Sequence, residues 1–299
     1  MPKLSAPLLL SRPLPRGLRP RLPVLSATFL LLVSVGAASF AAPPDAELPE
    51  ADAPEAVRSD LSFTLPAGQR IDVDNPHGNV YLRFGGYEHQ LDIRATVQQP
   101  AGAPDYRFTP GPQGGVFRVA PALAEGAVPV ATQRIDLVLY VPEGHPLQVR
   151  TLDGAIESRG VRGNVDYRSL SGEIAARGTT GTLQAASESG KIRVMLESAA
   201  AGSRQRLSTR IGDISIGVSD RLGAELRLAT SGTYTTDYSL QIERHDGEEP
   251  DKRAQARVGV TKGAQPGTIE VESLRGNVRL WRRTEFVDAP APEGEGARD

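Results

Sequence analysis

The sequence predicts an all-β fold, a single-stranded parallel β-solenoid similar to a β-helix, in which coils of about 18 residues consist of two nine-residue halves. Three observations predict it. Glycines recur every nine residues in the middle of the chain, and an aliphatic residue stands two positions after each glycine. The residue three positions before the glycine alternates between a hydroxyl side chain and glycine, which doubles the repeat.

The periodic glycines mark the predicted turns; they are Gly154, Gly163, Gly172, Gly181 and Gly190. We expect each of them to take a turn conformation that a Cβ atom would disfavour. The aliphatic residues that follow should point inward and pile above one another in successive coils; they are Ile156, Val165, Ile174, Leu183 and Ile192. Residues four positions after each glycine share this inward parity, because side chains alternate between the two faces of a strand.

The same unit recurs outside the strict run, around Gly78, Gly212 and Gly276 and, more loosely, Gly232. The solenoid domain is therefore predicted to span 58–283, with a Pro- and Gly-rich insertion at 98–132 and a charged insertion at 243–257. Residues 116–119 are the one strand-like piece of the first insertion. No amphipathic helix of ten or more residues is predicted anywhere in the chain.

Residues 1–41 have the pattern of a secretory signal peptide. Basic residues without any acid precede a short apolar run, and the small residues Ser39 and Ala41 stand at positions −3 and −1 of a cleavage point. The run is shorter than the ~20 residues that a spanning helix needs, so we expect no stable membrane span after cleavage. Export would place the protein in the periplasm or at the cell surface of a bacterium.

Two flanking segments, 42–57 and 284–299, are rich in Pro, Ala and acidic residues and have almost no large apolar residue. Such a composition cannot bury a core, so we predict a disordered linker and a disordered tail.

Composition excludes several classes of protein. The 299 residues include no Cys, which excludes disulfides, thiolate metal sites and cysteine nucleophiles. With 34 Lys and Arg against 36 Asp and Glu, the chain lacks the basic excess of a nucleic-acid-binding protein. We predict no cofactor and no nucleic-acid partner.

The region after the first insertion resembles a bacterial domain family of unknown function that is named "putative adhesin", together with the related head domain of autotransporter adhesins. The resemblance covers roughly 65–283 and is carried by the pattern Val141-Pro142-x-Gly144-x-x-Leu147-x-Val149-x-Thr151-x-x-Gly154, followed by alternating units such as Ser171-Gly172-Glu173-Ile174 and Ser189-Gly190-Lys191-Ile192. It implies a β-helical fold and an adhesin-like role. It supplies no catalytic residues, and the insertion at 98–132 is longer than the family pattern leads us to expect.

Metal sites find little support in the sequence. The histidines, His77, His89, His145 and His245, are scattered, and no two have the spacing of metal ligands. The glycine turns lack the acidic residues of calcium-binding β-rolls. A small cluster formed by Asp72, Asp74 and Asn75 is interpreted as a solvated strand edge, with a calcium or sugar contact as the alternative. We predict no metal-binding residues.

Catalytic groups are equally weakly indicated. Glu157, Asp166, Glu173 and Asp213 occupy predicted outward positions, where polysaccharide-active β-helix enzymes place their acids and bases. Arginines alternate with these carboxylates, so we interpret the surface as a solvated sheet of mixed charge and predict no catalytic residues.

A basic cluster with one aromatic residue lies on the last predicted strand, and its members are Arg275, Arg279, Trp281, Arg282 and Arg283. Two interpretations remain open. The cluster could be a cation–π binding stripe for an acidic glycan or a lipid head group. It could instead be a basic cap that protects the end of the solenoid from self-association.

The sequence thus predicts an exported, non-catalytic β-solenoid of the cell envelope that offers an adhesin-like binding or scaffolding surface to an envelope glycan or protein. A polysaccharide-active β-helix enzyme is one alternative. A self-assembling scaffold similar to the bactofilins is the other. The sequence does not define the oligomeric state.

Overall fold

The computed structural model describes residues 55–86, 89–259 and 265–283. The predicted signal peptide at 1–41 and the predicted tail at 284–299 lie outside the described residues, as does most of the predicted linker. The all-β class is confirmed, since every regular element within these ranges is a strand. None of the described residues forms a helix that could cross a membrane.

The first half of the described chain contains β1 (Glu55–Thr64), β2 (Ile71–Asn75), β3 (Val80–Phe84), β4 (Gln90–Gln99), β5 (Tyr106–Arg107), β6 (Gly111–Gln113), β7 (Val116–Val119), β8 (Ala122–Leu123), β9 (Arg134–Val141), β10 (Leu147–Thr151), β11 (Ile156–Arg159) and β12 (Val165–Ser169). The second half contains β13 (Ile174–Arg177), β14 (Leu183–Ser187), β15 (Ile192–Leu196), β16 (Arg204–Thr209), β17 (Ile214–Val218), β18 (Ala224–Thr230), β19 (Tyr234–Thr236), β20 (Gln241–Arg244), β21 (Lys252–Val258), β22 (Gly267–Ser273) and β23 (Val278–Arg282).

These strands form two large sheets and one small pair. Sheet A has the order β1-β4-β9-β3-β11-β13-β15-β17-β23-β19. Sheet B has the order β20-β21-β18-β22-β16-β14-β12-β10-β2-β7-β6, and β5 pairs with β8 apart from both. From β10 to β17 the chain alternates strictly between sheet B and sheet A, so that each strand pairs in parallel with the strand two positions later along the chain.

The inward rows form as the periodicity predicts. Ile156 lies opposite Ile174, and Ile174 lies opposite Ile192, so these side chains are in register across three neighbouring strands. All three are fully buried. Residues four positions after the periodic glycines are buried as well, including Tyr167, whose hydroxyl donates a hydrogen bond to Ser158 Oγ at 2.9 Å inside the core. Burial raises the pKa of Tyr167 well above its ordinary value.

The architecture departs from a wholly parallel solenoid, because both sheets are mixed and neither closes. In sheet A, β4 is antiparallel to β9, and β1 is antiparallel to β4. In sheet B, β6 is antiparallel to β7 at one end, and β21 is antiparallel to β18 and β20 at the other. The antiparallel pairs thus lie at the ends of the two strand orders, and the parallel strands lie between them.

The last two strands do not lie at the end of the stack. β22 lies between β16 and β18 in sheet B, and β23 lies between β17 and β19 in sheet A. After β17 the chain forms β18 and β19 one strand position away from β16 and β17. The last described strands, β22 and β23, occupy the positions between them.

Both predicted insertions contribute strands to the sheets. Within 98–132, β7 pairs in parallel with β2 and buries Phe117 and Val119. Within 243–257, β21 buries Ala254 and Ala256 in alternation with exposed polar and charged residues. The charged side chains conceal this period-2 pattern in the sequence, because the inward residues are as small as alanine.

The periodic glycines are required by close packing rather than by an unusual backbone conformation, which corrects the sequence-based explanation for most of them. Gly154, Gly172 and Gly190 do not have positive φ. A Cβ atom on Gly172 would lie 2.6 Å from the carbonyl carbon of Gly154 and 2.8 Å from the carbonyl oxygen of Asp153. The same overlap recurs from turn to turn, up to Gly212 and Gly276. Of the five glycines in the strict run, only Gly163 has a positive φ, which is 147°.

A row of buried hydroxyls accompanies the glycine turns. Ser169 Oγ, Ser187 Oγ and Ser273 Oγ each accept a hydrogen bond from the amide of the glycine three residues later, at 2.8 to 2.9 Å. This contact pairs a turn amide that is shielded from water, and an unpaired buried amide is costly. The hydroxyl residues that alternate with glycine three positions before the periodic glycines therefore mark the turns whose glycine amide needs this hydrogen bond.

Replacing Gly172 by Ala is expected to destabilise the protein by about 3 kcal/mol, because the added methyl group overlaps the backbone of the neighbouring turn. The matched control is Gly111→Ala, where no atom lies within 4 Å of the place that the added methyl group would take and φ is not positive. Thermal unfolding should show a Tm lower by roughly 10 °C for Gly172→Ala and almost unchanged for Gly111→Ala. Equal Tm values for the two variants would contradict the close packing of the turns.

Stability should fall at alkaline pH because of Tyr234, whose hydroxyl donates to the carbonyl oxygens of Leu228 at 3.1 Å and Lys252 at 2.9 Å. Burial raises the pKa of Tyr234 to about 12. The folded state therefore keeps the phenol proton where the unfolded chain releases it, and this contribution is complete below about pH 10 and lost as the pH rises toward 12. Urea unfolding from pH 8 to 11.5 should show a steeper loss of stability for the wild type than for Tyr234→Phe. Parallel curves would contradict the assignment.

Candidate functional site

The outward face of sheet A carries several arginines and few acidic residues. Over strands β3, β11, β13, β15, β17 and β23 its outward residues are Tyr81, Arg83, Glu157, Arg159, Ala175, Arg177, Arg193, Met195, Ser215, Gly217, Arg279 and Trp281. We call this surface the arginine face, because five of these residues are arginines and only Glu157 is acidic.

The register of the parallel strands places like charges side by side. Arg83, Arg159 and Arg177 occupy one row on adjacent strands, which lie about 4.8 Å apart. Like charges directly opposite one another destabilise a sheet. Glu157 reduces this repulsion, since it forms ion pairs with Arg83 at 3.3 Å and with Arg159.

Two guanidinium groups of the arginine face have no acidic partner in the described part of the chain. They belong to Arg177 on β13 and Arg279 on β23, and both side chains are exposed. Arg193, by contrast, pairs with Glu173 at 3.3 Å. The face therefore retains a positive charge although the chain as a whole carries a formal net charge of −2.

Trp281 lies flat against the sheet. A Cβ atom on Gly217 would lie 2.5 Å from the Cζ2 atom of the indole, so the missing side chain at Gly217 makes room for the ring. The indole N–H donates to Ser215 Oγ at 3.2 Å, which satisfies its polar group. Trp281 is only half-buried, and its outer face is free to contact a ligand.

A shallow groove of about 440 Å³ follows the arginine face across the strands, from Tyr81 to Trp281. Small side chains at Ala175 and Ser215 leave it open, and Met195, Arg159, Arg177 and Arg193 border it. Because the groove crosses successive strands rather than entering the core, it suits an extended ligand better than a compact one. Sequence reading identified Trp281 and Arg279 but missed the groove, since its shape depends on small residues between the charged ones.

The basic cluster of the last strand is divided by the structure. Arg275 pairs with Glu249 at 2.7 Å, which lowers the pKa of that carboxyl group, and Arg283 pairs with Glu197. Arg282 pairs with Asp220 at 3.2 Å and lies over the ring of Tyr238. Of the cluster, Arg279 and Trp281 face outward on sheet A. The end-cap interpretation is wrong, because β23 has β17 on one side and β19 on the other.

The outward face of sheet B carries more acidic residues than the arginine face, although Arg150 and Arg206 on it are likewise exposed and form no ion pair among the described residues. Its acids are largely neutralised by neighbouring arginines, and the pairs are Asp72 with Arg70, Asp74 with Arg118, Asp166 with Arg168, Glu225 with Arg227 and Glu270 with Arg204. Asn75, the third member of the predicted acidic cluster, is fully buried and donates to the carbonyl oxygen of Ile135 at 2.8 Å. This face matches the expected solvated sheet of mixed charge.

The four carboxylates considered for catalysis do not converge. Glu157 and Glu173 lie on the side of sheet A, but Glu157 is in register with Ala175 rather than with Glu173. Asp166 lies on sheet B. Asp213 accepts hydrogen bonds from the backbone and side-chain amides of Asn277 at 2.8 and 3.1 Å. Each of the four is therefore held by a local partner or separated from the others.

Two histidines that are far apart in the sequence lie within hydrogen-bonding distance of each other in the structure. His89 Nδ1 lies 3.0 Å from His145 Nε2, and His145 Nδ1 lies 2.8 Å from the carbonyl oxygen of Gln69. His145 is fully buried, whereas His89 is exposed and has a φ of 64°. The two rings meet edge to face, with their centroids 5.2 Å apart. No local sequence signal could reveal a pair separated by 56 residues.

Comparisons with known proteins assign no family to this chain and match it to solved structures only at low identity and low TM-score. No protein-family model matches the sequence, and no curated protein matches it either. A putative cell adhesion protein from Clostridium sporogenes has 10% identity and a TM-score of 0.39, with 76% of this chain and 100% of that chain covered. A putative adhesin from Parabacteroides distasonis has 10% identity and a TM-score of 0.34, with 78% and 98% covered. A putative lipid binding protein from the same species has 10% identity and a TM-score of 0.33, with 76% and 97% covered.

The histidine pair predicts an uncommon tautomer. A carbonyl oxygen only accepts hydrogen bonds, so the proton of neutral His145 must reside on Nδ1, and its Nε2 must accept from His89 Nδ1–H. Long-range ¹H–¹⁵N correlation spectra at pH 8 should show both histidines as Nδ1–H tautomers. His77, whose ring has no partner among the described residues, serves as the comparison and should show the usual mixture. An Nε2–H form of His145 would contradict the arrangement.

Proposed function

We propose that the chain is an exported, non-catalytic protein of the bacterial cell envelope, an adhesin-like binding or scaffolding module built on a parallel β-solenoid. We further propose that it binds an envelope glycan or protein through the arginine face. The observation that carries this proposal is the groove on sheet A, where unpaired positive charge and a half-buried indole lie together.

The solenoid part of the proposal is supported by the central strands. From β10 to β17 the chain alternates between the two sheets, with parallel pairing in register and a glycine turn after each strand of sheet B. In this view the antiparallel strands are end structures that terminate the coils. Antiparallel strands at three of the four sheet ends also argue against a bactofilin-like filament, because a parallel stack of identical subunits needs matching open edges.

Binding through the arginine face is supported by the electrostatic repulsion between its neighbouring guanidinium groups. Arg177 and Arg279 gain nothing from an ion pair within the described chain, and the row that contains Arg177 brings guanidinium groups together. Natural sheets usually avoid this arrangement. A ligand that carries negative charge would remove the repulsion, so the surface is better adapted to a complex than to the free protein.

A non-catalytic role is supported by the carboxylates. General acid–base chemistry needs two groups that face one reacting bond, with pKa values that their surroundings separate. Here Glu157 and Glu173 are bound to arginines, and neither is in register with the other. Export is supported by the basic and apolar pattern of 1–41 and by the absence of Cys.

The test compares the wild type with two double variants of equal charge change. Arg177→Gln with Arg279→Gln alters the arginine face, and Arg150→Gln with Arg206→Gln alters exposed arginines of sheet B. The full-length chain is mixed with isolated bacterial cell envelopes, and the bound fraction is measured after sedimentation. We expect saturable binding by the wild type and by the sheet B variant, and an affinity at least about tenfold lower for the arginine-face variant.

Two results would overturn the proposal. The first is a wild type that binds envelopes no better than the arginine-face variant. The second is the appearance of new reducing ends or unsaturated products when acidic glycans are incubated with the protein, since turnover would establish an enzyme. Unchanged Tm values for both double variants would show that altered binding does not arise from unfolding.

A further inference from the structure

We infer that the ligand of the arginine face is a linear acidic polysaccharide, with its uronate carboxylates on the free arginines and one sugar ring on Trp281. This inference rests on the proposed binding function and adds the chemical class of the ligand. Three features of the arginine face carry it: the direction of its groove, the spacing of its two unpaired arginines and the orientation of the indole.

The length and direction of the groove favour an extended polymer as the ligand. It runs from Tyr81 on β3 to Trp281 on β23, and therefore crosses six adjacent strands of sheet A. At about 4.8 Å per strand the groove is roughly 24 Å long. A small metabolite would occupy only a fraction of that length, whereas a chain of several sugar residues could contact all of it.

The two unpaired arginines favour a ligand whose carboxylates are separated along its length. Arg177 and Arg279 lie three strands apart, or about 14 Å, and each presents a planar guanidinium group without an acidic partner among the described residues. A guanidinium group binds a carboxylate through two parallel hydrogen bonds, which favours this anion geometrically as well as electrostatically. A polymer with a carboxylate on each sugar can satisfy both arginines at once.

The exposed side of the Trp281 indole favours contact with a sugar ring that lies between the two carboxylates. Trp281 lies on Gly217 with its N–H bonded to Ser215, so the exposed side of the ring is flat and has no unpaired polar group. The C–H-rich face of a pyranose can pack against such a surface while its hydroxyls remain in water. Glu157 and Glu173 lie along the same groove and can accept hydrogen bonds from those hydroxyls.

An extended peptide fits this surface less well. Peptides usually bind sheets by adding a strand to an open edge, where main-chain groups are unpaired. The groove lies over β11, β13, β15 and β17, each of which has a hydrogen-bonded neighbour on both sides. A peptide in the groove would have to leave its backbone groups to water and would gain only side-chain contacts.

Trp281 also makes the inference directly measurable, because it is the only tryptophan of the chain. The full-length protein is titrated with an oligogalacturonate while the tryptophan fluorescence is recorded. The same oligomer with every carboxylate methyl-esterified is the neutral control, and oligo-dT of equal charge is the control for general attraction of polyanions. We expect a saturable change with oligogalacturonate, and neither a comparable change with the ester nor comparable affinity for oligo-dT.

Matched variants locate the effect. Arg177→Gln should lower the affinity for oligogalacturonate by about tenfold or more, because it removes a charge-assisted bidentate contact. Arg150→Gln removes the same charge from the opposite face and should leave the affinity nearly unchanged. Equal losses in the two variants, or equal affinity for oligo-dT, would overturn the inference by showing non-specific attraction.

Failure of this inference can be distinguished from failure of the proposed function. Envelope binding that is lost in the arginine-face variant, combined with no response to oligogalacturonate, would reject the acidic polysaccharide and keep the binding surface. Absence of both responses would reject the function itself. A fluorescence response to the methyl-esterified oligomer of equal affinity would reject the role of the carboxylates.

Discussion

The close approach of successive turns is the constraint on which the rest of the structure depends. The carbonyl of one turn occupies the place where a Cβ atom of the next turn would stand, so glycine is needed for geometric reasons at each level. Hydrogen-bonded parallel strands lie about 4.8 Å apart, and glycine lets the turns follow that spacing, so the strands keep the register that aligns the inward aliphatic rows. Their burial then provides the main stabilisation, at about 25 cal/mol per Å² of apolar surface removed from water.

The same register determines the electrostatics of the outer surfaces. A residue on one of the central parallel strands has the equivalent residues of the neighbouring strands beside it, so repeated residue types become rows rather than scattered points. On sheet B, acids lie beside arginines that neutralise them. On sheet A, the rows contain arginine more often than acid, and small residues open a channel between them. A surface with a distinct chemical preference arises in this way without any loop that is specialised for binding.

Local periodicity explains what could be predicted from the sequence. The glycine interval and the aliphatic positions are short-range patterns, and they correctly placed Ile156, Ile174 and Ile192 in register. The antiparallel ends, the entry of β7 and β21 into the sheets and the contact of His89 with His145 depend on residues far apart in the sequence, for which no period exists. The role of glycine was misassigned for a related reason: a turn that excludes a Cβ atom because a neighbouring turn is too close favours glycine in the sequence just as a turn with positive φ does.

The position of β22 and β23 has a consequence for how the molecule is made. These strands separate β16 and β17 from β18 and β19, and they are the last strands of the described chain. A polypeptide that is synthesised with its N-terminus first cannot pair β18 and β19 with the earlier strands of the two sheets until residues 267–282 have emerged. This end of both sheets would therefore assemble out of sequence order, with the later strands β22 and β23 needed to hold the earlier strands β18 and β19 in place.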